Sequence, residues 1–324
     1  MPSRRALVTG VNGFSGRHLV ERLRREPRWE IFGLDTLPGA DGHLDGYFRC
    51  DLTDAGAVDE AVRQARPDVV FHLAGLLGPH SAERMWEVNV GGFVALGDAL
   101  RRQQRQTADP IRLLAIGSAA EIGAVDSSQL PVTEETSCRP AGDYGRSKLE
   151  VTRLALAEPA EGPLDISVAR VFNLVGPGLG PELALGSFAR QIAEIVHGRA
   201  KSIHCGRLDA RRDYVDVRDA VEAYVGLAEC GRGRQIYNVC TGRSHAMGDL
   251  LQTMIEISGV PVEVIVEAGG ARGSGHLPDI YGDRTKIVCE IGWAPRLSIE
   301  QSLADLLAHA VGCVDGKRGL AIRD

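Results

Sequence analysis

The sequence predicts an α/β fold in which a doubly wound parallel sheet is joined to a smaller mixed α/β lobe. Three observations lead to this prediction. Short apolar runs alternate with helical patterns over the first half of the chain, which is typical of parallel sheets covered on both faces. A glycine-rich turn joins the first predicted strand to the first predicted helix. An aspartate ends the second predicted strand, as in Rossmann-like sheets that bind dinucleotides.

The predicted strands of the first half follow one another with helices between them. They lie in the runs RALVTG (5–10), WEIFGLD (29–35), YFRCDL (47–52), DVVFHLAG (68–75), IRLLAIGS (111–118) and LDISVARVFN (164–173). Helical patterns cover 14–26, 54–66 and 82–105, and a further helix begins near residue 143. Pro27 and Pro67 end the first two of these helices, because proline cannot continue a helix.

The pattern changes after residue 173, where the glycine- and proline-rich run NLVGPGLGPELALG interrupts the alternation. A helical pattern follows, and QIYNVCTG (235–242) predicts one more strand of the main sheet. We therefore expect two domains. The first comprises residues 1–173 plus about 213–240, and the second comprises about 174–212 plus 241–324.

Composition excludes several classes of protein. The 324 residues carry a net charge of −6 without a basic block, and aromatic residues are only 5%, so we expect no nucleic-acid partner. The chain has neither an apolar signal core near its N-terminus nor a run of 18 apolar residues, so we expect a cytoplasmic protein without a membrane partner. The seven cysteines are odd in number and widely spaced, which predicts reduced thiols and no metal site.

The turn after the first strand reads TGVNGFSG, with Gly10, Gly13 and Gly16 at intervals of three. Glycines at these positions permit a tight turn and let the backbone approach a pyrophosphate at the helix N-terminus. Asp35, at the end of the second strand, can accept hydrogen bonds from ribose hydroxyls and would repel a 2′-phosphate. The pattern favours NAD over NADP, while a plain glycine turn and a loop-capping Asp35 are the alternatives.

Two further segments extend this predicted cofactor site. Asp51 and Leu52 follow the third strand and are expected to contact adenine. The fourth strand closes with small or apolar residues that would let a cofactor pass, namely Leu73, Ala74 and Gly75.

The run AGDYGRSKLEVTR places Tyr144 and Lys148 one helical turn apart on the same face of a helix. An ammonium about 4 Å from a phenol would lower the tyrosine pKa by about 3 units towards neutrality, which suits proton transfer. Lys148 could also hold the nicotinamide ribose. Ser118 ends the fifth strand and could hydrogen-bond the same substrate oxygen as Tyr144. These three residues are the predicted catalytic set.

Together, these motifs resemble the extended short-chain dehydrogenase/reductase family, in its branch of enzymes that modify nucleotide-activated sugars. The resemblance covers nearly the whole chain and extends the cofactor loop to Asn12, Phe14 and Ser15. It implies that Asn173, in ARVFNLVGPG, and Arg212, in RRDYVDVRDAVEAY, hold a sugar diphosphate. The run from ARVFN to YNVCTG is most similar to GDP-4-keto-6-deoxy-D-mannose reductases and related 4-ketoreductases.

Two arginines and two departures qualify the resemblance. Arg190 is expected either to face the nucleotide base or to lie on the surface, and Arg272 either to bind phosphate or to be a solvated loop residue. The family's 4,6-dehydratases carry Asp and Glu where this chain has Ala119 and Ala120. Alanine cannot transfer a proton, so a dehydratase is not expected. Ile122 replaces a tyrosine that is usual before the glycine.

The resemblance implies an NAD-dependent oxidoreductase that reduces the 4-keto group of a nucleotide-diphospho-6-deoxysugar. A sugar 4-epimerase with tightly held NAD would use the same three residues and is the alternative. A non-catalytic NAD-binding sensor is the alternative from another class, against which the intact Ser, Tyr and Lys set argues. Relatives use the helices near 82–105 and 143–158 to form a dimer, so a homodimer is expected.

Overall fold

The computed structural model describes residues 3–40, 43–107, 110–159, 161–267 and 279–314. Its main sheet contains seven parallel strands, which are β1 (Arg4–Thr9), β2 (Trp29–Asp35), β3 (Gly46–Arg49), β4 (Val69–His72), β5 (Ile111–Ser118), β6 (Leu164–Val171) and β10 (Ile236–Val239). Their order across the sheet is β10-β6-β5-β4-β1-β2-β3. The order therefore reverses between β1 and β4, and such a switch point is where open α/β sheets bind ligands.

Helices cover both faces of this sheet. One face packs against α1 (Phe14–Leu23) and α7 (Val217–Cys230), and the other against α2 (Ala55–Ala65), α4 (Gly92–Thr107) and α5 (Asp143–Leu156). Each helix turns an apolar side towards the strands, and the buried contacts include Leu19, Val20 and Tyr224 on the first face and Val62, Leu96 and Val151 on the second. The predicted α/β fold with a doubly wound parallel sheet is confirmed.

The predicted helix over 82–105 is interrupted. It begins as α3 (Ala82–Trp86), widens into a π-helical turn over Glu87–Gly91 and continues as α4. The wide turn carries Asn89, whose amide group exchanges two hydrogen bonds with the backbone of Leu76 and donates to the hydroxyl of Ser147 at 2.9 Å. Such turns are frequent at functional sites. Periodicity alone did not indicate the extra residue.

The predicted strand over 164–173 also divides. After Val171 the chain leaves the main sheet, and β7 (Asn173–Val175) joins a second sheet with β9 (Arg211–Asp216) and β11 (Ser244–Ala246), in the order β11-β9-β7. A continuous apolar run therefore serves two sheets, and residue 173 lies at the transition between them.

Most of the remaining elements form a separate apolar core. They are α6 (Ala184–Val196), β8 (Ser202–Cys205), α8 (Met247–Ser258) and α10 (Ile299–Val314). The exposed strand β12 (Glu263–Val266) pairs with β8, and α9 (Thr285–Ile291) packs Ile287 against the core of the main sheet. Side chains from α6, α8 and α10 meet in this core, which contains Phe188, Ile192, Met254, Leu303 and Leu306. The division of the chain into two domains at residue 173 stays a prediction. Among the described residues, every helix is too short or too polar to span a bilayer.

Candidate active site

The glycine loop packs closely against the end of β4. Gly10 has a left-handed φ of +69°, and a Cβ there would lie 2.9 Å from the Cα of Ala74. A Cβ on Gly16 would lie 2.3 Å from the carbonyl oxygen of Gly10. Larger residues at these two positions would separate the loop from the sheet. The loop therefore holds the start of α1 directly above the carboxyl ends of β1 and β4.

The first turn of α1 offers backbone N–H groups to a ligand. Gly13 is the N-cap residue, and among the described residues neither a side-chain cap nor an acid in the first turn occupies these donors. Uncapped N–H groups at a helix N-terminus favour an anion such as a pyrophosphate. The predicted loop residues Phe14 and Ser15 belong to this turn, and Ser15 lies beside the buried hydroxyl of Tyr224. The local structure therefore fits a dinucleotide.

Asp35 lies at the carboxyl end of β2, facing this loop. Its two carboxylate oxygens accept backbone N–H groups of Asn12 at 3.0 Å and Leu37 at 3.2 Å. Arg49 stands opposite Asp35 in the register of β2 and β3. Asp35 therefore caps the loop and also lies where a ribose acid is expected, so the two sequence interpretations are compatible.

The predicted adenine contacts follow β3. Asp51 accepts the backbone N–H of Thr53 at 3.0 Å and pairs with Arg84 at 3.0 Å. Leu52 is buried against α4, where a Cβ on Gly92 would come within 2.8 Å of its own Cβ. Asp51 is therefore held at the surface, and Leu52 anchors the segment to the core.

The segment Leu73–Gly75 leads from β4 towards the predicted catalytic lysine. A Cβ on Gly75 would lie 3.1 Å from the Oδ1 of Asn89 and 3.4 Å from the Nζ of Lys148. The small residues thus keep the space beside this lysine open. Lys148 itself is buried on α5 and donates to the carbonyl oxygen of Ile116 at 2.9 Å.

The predicted catalytic residues meet at the carboxyl edge of the sheet. Ser118 is the last residue of β5, and Tyr144 lies in the first turn of α5, one turn before Lys148. Ser118 lies close enough to Tyr144 to lower the pKa of its phenol. The structure therefore brings these three residues together, while their catalytic roles stay a prediction.

The predicted effect of Lys148 on Tyr144 is wrong in this structure. Burial raises the pKa of Tyr144 to about 12, opposed by the hydrogen bond from Ser118, and the negative charge of Glu121 raises it further. Burial lowers the pKa of Lys148 to about 8. The sequence argument considered the attraction between phenolate and ammonium and left out the cost of removing both charges from water. At neutral pH, Tyr144 is protonated.

These positions can be compared with known proteins. The family model of the NAD dependent epimerase/dehydratase family matches residues 6–240. The chain belongs to this family. It is therefore an enzyme with a nicotinamide cofactor, which confirms the family and the cofactor predicted from the sequence.

Individual relatives match over nearly their full length. The GDP-6-deoxy-D-mannose reductase of Pseudomonas aeruginosa is 29% identical over 94% of this chain and 97% of its own. The structure of RMD from Pseudomonas aeruginosa complexed with NADPH has a TM-score of 0.83 at 29% identity, over 96% and 99% of the two chains. The Thermus thermophilus UDP-glucose 4-epimerase in complex with NAD has a TM-score of 0.81 at 26% identity, over 95% and 99%.

Of the predicted substrate residues, the structure places Asn173 and Arg212 side by side. The side-chain amide of Asn173 donates to the carbonyl oxygen of Asp213 at 3.0 Å, which places it beside Arg212 on β9. Burial lowers the pKa of Arg212, and its guanidinium donates to the carbonyl oxygen of Arg211 at 2.6 Å. Arg190 is exposed on α6. Arg272 lies outside the described residues.

Asp213 is a residue of this region that sequence reasoning missed. It is 0% exposed, and its carboxylate accepts the N–H and hydroxyl of Thr241 at 2.9 and 2.6 Å. It also accepts the N–H groups of Gly242 at 2.9 Å and Gly282 at 3.3 Å. Two segments that are distant in sequence therefore converge on one carboxylate beside Arg212. Only its place between Arg212 and an apolar run in RRDYVDV pointed to a buried acid.

The turn after Ser118 contains a second missed acid, Glu121. The stretch Ser118-Ala119-Ala120-Glu121 has the Ser-x-x-Glu pattern of a capping box, and both reciprocal bonds of that motif are present. Ala119 is buried and Ala120 is exposed. Because both side chains are methyl groups, neither could replace the dehydratase acid or base. Ile122 is fully buried in a small apolar core. It therefore contributes to packing.

Proposed function

We propose that this enzyme reduces the 4-keto group of a nucleotide-diphospho-6-deoxysugar, with Tyr144 as the proton donor. The observation that carries the proposal is the meeting of Ser118, Tyr144 and Lys148 beside an uncapped, glycine-rich helix N-terminus. A nicotinamide cofactor bound at that N-terminus supplies the hydride. The protein groups supply the proton, its orientation and the charge that stabilises the developing alkoxide.

The proposed mechanism uses the protonation states found in the site. Tyr144 has a raised pKa of about 12 and is ready to donate a proton to the carbonyl oxygen. Ser118 donates a second hydrogen bond to the same oxygen, and the Lys148 ammonium orients the cofactor ribose. A pKa of about 8 at Lys148 leaves it mostly charged at neutral pH. Reduction therefore suits this site at neutral pH.

The substrate side supports a sugar with a diphosphate. Arg212 and Asn173 lie on adjacent strands. The amide of Asn173 donates to the backbone carbonyl oxygen of Asp213, the residue that follows Arg212. An arginine is well suited to a diphosphate because its guanidinium can form two parallel, charge-assisted hydrogen bonds. Arg190 and Arg272 remain proposed contacts to the nucleotide, with no described contact that favours either.

The relatives favour the same substrate class. The Pseudomonas aeruginosa relative is a GDP-6-deoxy-D-mannose reductase, which supports reduction of a 4-keto sugar nucleotide. The similarity to the Thermus thermophilus UDP-glucose 4-epimerase supports a second candidate, 4-epimerisation with NAD that stays bound. Both reactions require the same Ser, Tyr and Lys chemistry. They differ in whether the cofactor leaves the enzyme and in whether the sugar rotates within the site.

The test is an assay that separates the two reactions. The purified protein would be incubated with NADH and 4-keto-6-deoxy sugars carried on GDP, dTDP or UDP, and NADH oxidation and sugar products would be followed together. A reductase consumes one NADH for each sugar reduced. An epimerase interconverts nucleotide hexoses without net NADH consumption and is purified with NAD. Saturable NADH binding without either reaction would favour the sensor alternative.

We also propose a cytoplasmic homodimer. Its support is a set of exposed apolar residues on α3, α4 and α5, namely Trp86, Val94 and Leu156. All three lie within the helical segments that the resemblance assigns to a dimer, and exposed apolar side chains in such segments suit an interface. Light scattering of the unmodified protein and of a Val94→Lys variant tests the dimer. A monomer in both samples would refute it.

A further inference from the structure

Glu121 and Arg170 form a buried ion pair behind the active site. Their side chains are 0% and 1% exposed, and Arg170 Nε donates to Glu121 Oε2 at 3.2 Å. Removing two opposite charges from water is costly, and a hydrophobic pair of similar volume often serves a core equally well. The place of this pair, one turn beyond the predicted catalytic Ser118, suggests that it does more than fill the core.

The carboxylate of Glu121 fixes the end of β5. Its Oε1 accepts the backbone N–H of Ser118 at 2.7 Å, and its Oε2 also accepts the hydroxyl of Thr152, on α5, at 3.1 Å. A Cβ on Gly117 would lie 2.6 Å from Oε1. A side chain at residue 117 would therefore collide with the carboxylate of Glu121, and glycine avoids this. Ser118 is held through its backbone N–H, so its hydroxyl is left to other partners.

The donors around Glu121 favour its ionised form. They come from three elements, namely the backbone at the end of β5, Thr152 on α5 and Arg170 on β6. Burial raises the pKa of Glu121, and these three donors act in the opposite direction. Both carboxylate oxygens accept, and one of the donors is a guanidinium, so the bonds are made to a carboxylate anion. Cys138, a neutral thiol, also faces this pair at 3.6 Å from Arg170.

Glu121 and Lys148 both contact the end of β5 on the side covered by α5. Lys148 donates to the carbonyl oxygen of Ile116 at 2.9 Å, and Thr152, one turn further along α5, donates to Glu121 at 3.1 Å. Burial lowers the pKa of Lys148 to about 8, and the negative charge of Glu121 opposes that shift. The other titratable groups near this ammonium are Tyr144 on its own helix and His72 of β4. Burial lowers the pKa of His72 to about 3, so it is neutral, and Tyr144 is protonated. Among these groups, Glu121 is the anion that favours the ammonium form.

We propose that Glu121 is a positioning residue of this active site, whose carboxylate fixes the Ser118 backbone and keeps the buried Lys148 in its ammonium form. Arg170 is the counter-ion that keeps the carboxylate charged. The consequence for turnover rests on the proposed function. The consequence for Lys148 does not, because its protonation can be measured without a substrate.

The composition makes this measurement direct. The chain has four lysines, which are Lys148, Lys201, Lys286 and Lys317. Carbon NMR of protein labelled at lysine side chains would give four titration curves, and the signal missing in Lys148→Met assigns the buried one. The unmodified protein should show a Lys148 midpoint near pH 8.

Glu121→Gln is the decisive variant. It keeps an acceptor for the Ser118 N–H and removes the charge, so the Lys148 midpoint should fall by about one pH unit, since a nearby opposite charge typically shifts a pKa by about 1–3 units. The matched control is Thr152→Val, which removes a hydrogen bond to the same carboxylate and keeps its charge. Its Lys148 midpoint should stay at that of the unmodified protein.

Turnover supplies the second readout. In the reductive direction, the loss of rate at alkaline pH should begin about one pH unit lower in Glu121→Gln and remain in place in Thr152→Val. Because Glu121→Gln removes the carboxylate that is hydrogen-bonded to Arg170, the double variant Glu121→Gln/Arg170→Met provides a folded alternative if the single variant does not fold, and the same downward shift is expected.

An unchanged Lys148 midpoint in a folded Glu121→Gln or double variant would overturn the inference and leave the pair a structural one. A midpoint that falls as expected, in a protein that reduces no ketosugar, would support the role of Glu121 and reject the proposed function. The two failures are therefore distinguishable.

Discussion

The cofactor side and the sugar side of the active site are each organised around a buried carboxylate, but the two carboxylates connect different parts of the chain. Glu121 accepts donors from β5, α5 and β6, which are neighbours in one parallel sheet and its covering helix. Asp213 accepts donors from Thr241, Gly242 and Gly282, which belong to two segments far from Asp213 in sequence. The donors to Glu121 include a guanidinium, whereas the donors to Asp213 are backbone N–H groups and a hydroxyl.

This difference separates two ways of building a site. On the cofactor side, the register of the parallel strands places each functional residue at a strand end, and Glu121 adjusts the charge there. On the sugar side, Asp213 joins loops that the sheet does not order by itself. A change at the first carboxylate should therefore alter proton chemistry, whereas a change at the second should alter stability and substrate binding.

The largest effect is expected on the cofactor side, from Tyr144→Phe. The variant loses only a hydroxyl, so NADH binding should survive while turnover falls by about 10²–10⁴-fold, the usual contribution of a general acid. NADH fluorescence titration and ketosugar reduction measure the two properties. Tyr237→Phe is the matched control. Tyr237 lies on β10 of the same sheet and its hydroxyl donates to Glu290, so its loss should leave turnover unchanged.

The pH profile of the unmodified enzyme sharpens this prediction. Tyr144, with a pKa of about 12, stays protonated throughout the usual range, so the alkaline loss of reduction should follow Lys148 at about pH 8. Lys148→Met should lose that limb and weaken NADH binding as well as turnover. Near-normal turnover in Tyr144→Phe would refute the proton donor assignment.

The second largest effect is expected from Asp213→Asn on the sugar side. An amide oxygen can replace one carboxylate oxygen, but its NH₂ group would face the N–H donors of Gly242 and Gly282. Losing two charge-assisted hydrogen bonds, at about 1.5–3 kcal/mol each, should lower the free energy of unfolding by about 3 kcal/mol or more. Denaturant unfolding measures this loss, with Asp209→Asn, an exposed acid paired with Arg207, as the control of little effect. Equal stability of the two variants would contradict the role given to Asp213.

Much of the cofactor side could be predicted from the sequence because its signals are local. The glycine spacing, the acid ending β2 and the Tyr–Lys spacing each depend on the periodicity of one element, and the parallel topology collects strand ends at one edge. The positions of Gly10, Asp35, Ser118 and Tyr144 follow from these rules. The Tyr144 pKa could not be predicted, because it depends on desolvation by the whole fold.

The sugar side could be predicted only in part, because its contacts are long-range. Asn173 and Arg212 were found through a family resemblance, and no periodicity indicated that Asp213 would bring residues 241 and 282 to them. The π-helical turn at Asn89 was missed for the same reason, since its partners Leu76 and Ser147 are remote in sequence. The capping box of Glu121 could be predicted from the local sequence, but its ion pair with the distant Arg170 could not.

The third effect in size tests the sugar side at Arg212. Removing its charge-assisted bonds to a diphosphate should weaken nucleotide-sugar binding by about ten- to a hundredfold and leave NAD affinity nearly unchanged. Calorimetry of Arg212→Ala measures both. Arg211→Ala is the matched control, because the neighbouring guanidinium is exposed and bonds the carbonyl oxygen of Ser244. Loss of NAD binding in Arg212→Ala would place this arginine on the cofactor side instead.

The smallest effect concerns the choice between NADH and NADPH at Asp35. The acid faces the glycine loop and should repel a 2′-phosphate, which is worth about 1 kcal/mol at 4 Å in a water-like dielectric, or roughly fivefold in affinity. Asp35→Ala should therefore narrow the preference for NADH by roughly that factor, as measured by fluorescence titration of both cofactors. Arg49, opposite Asp35 in the strand register, acts in the other direction, so Arg49→Ala should widen the preference. Tighter binding of NADPH by the unmodified protein would show that Arg49 outweighs Asp35, and it would reject the ribose-acid assignment while leaving the catalytic prediction intact.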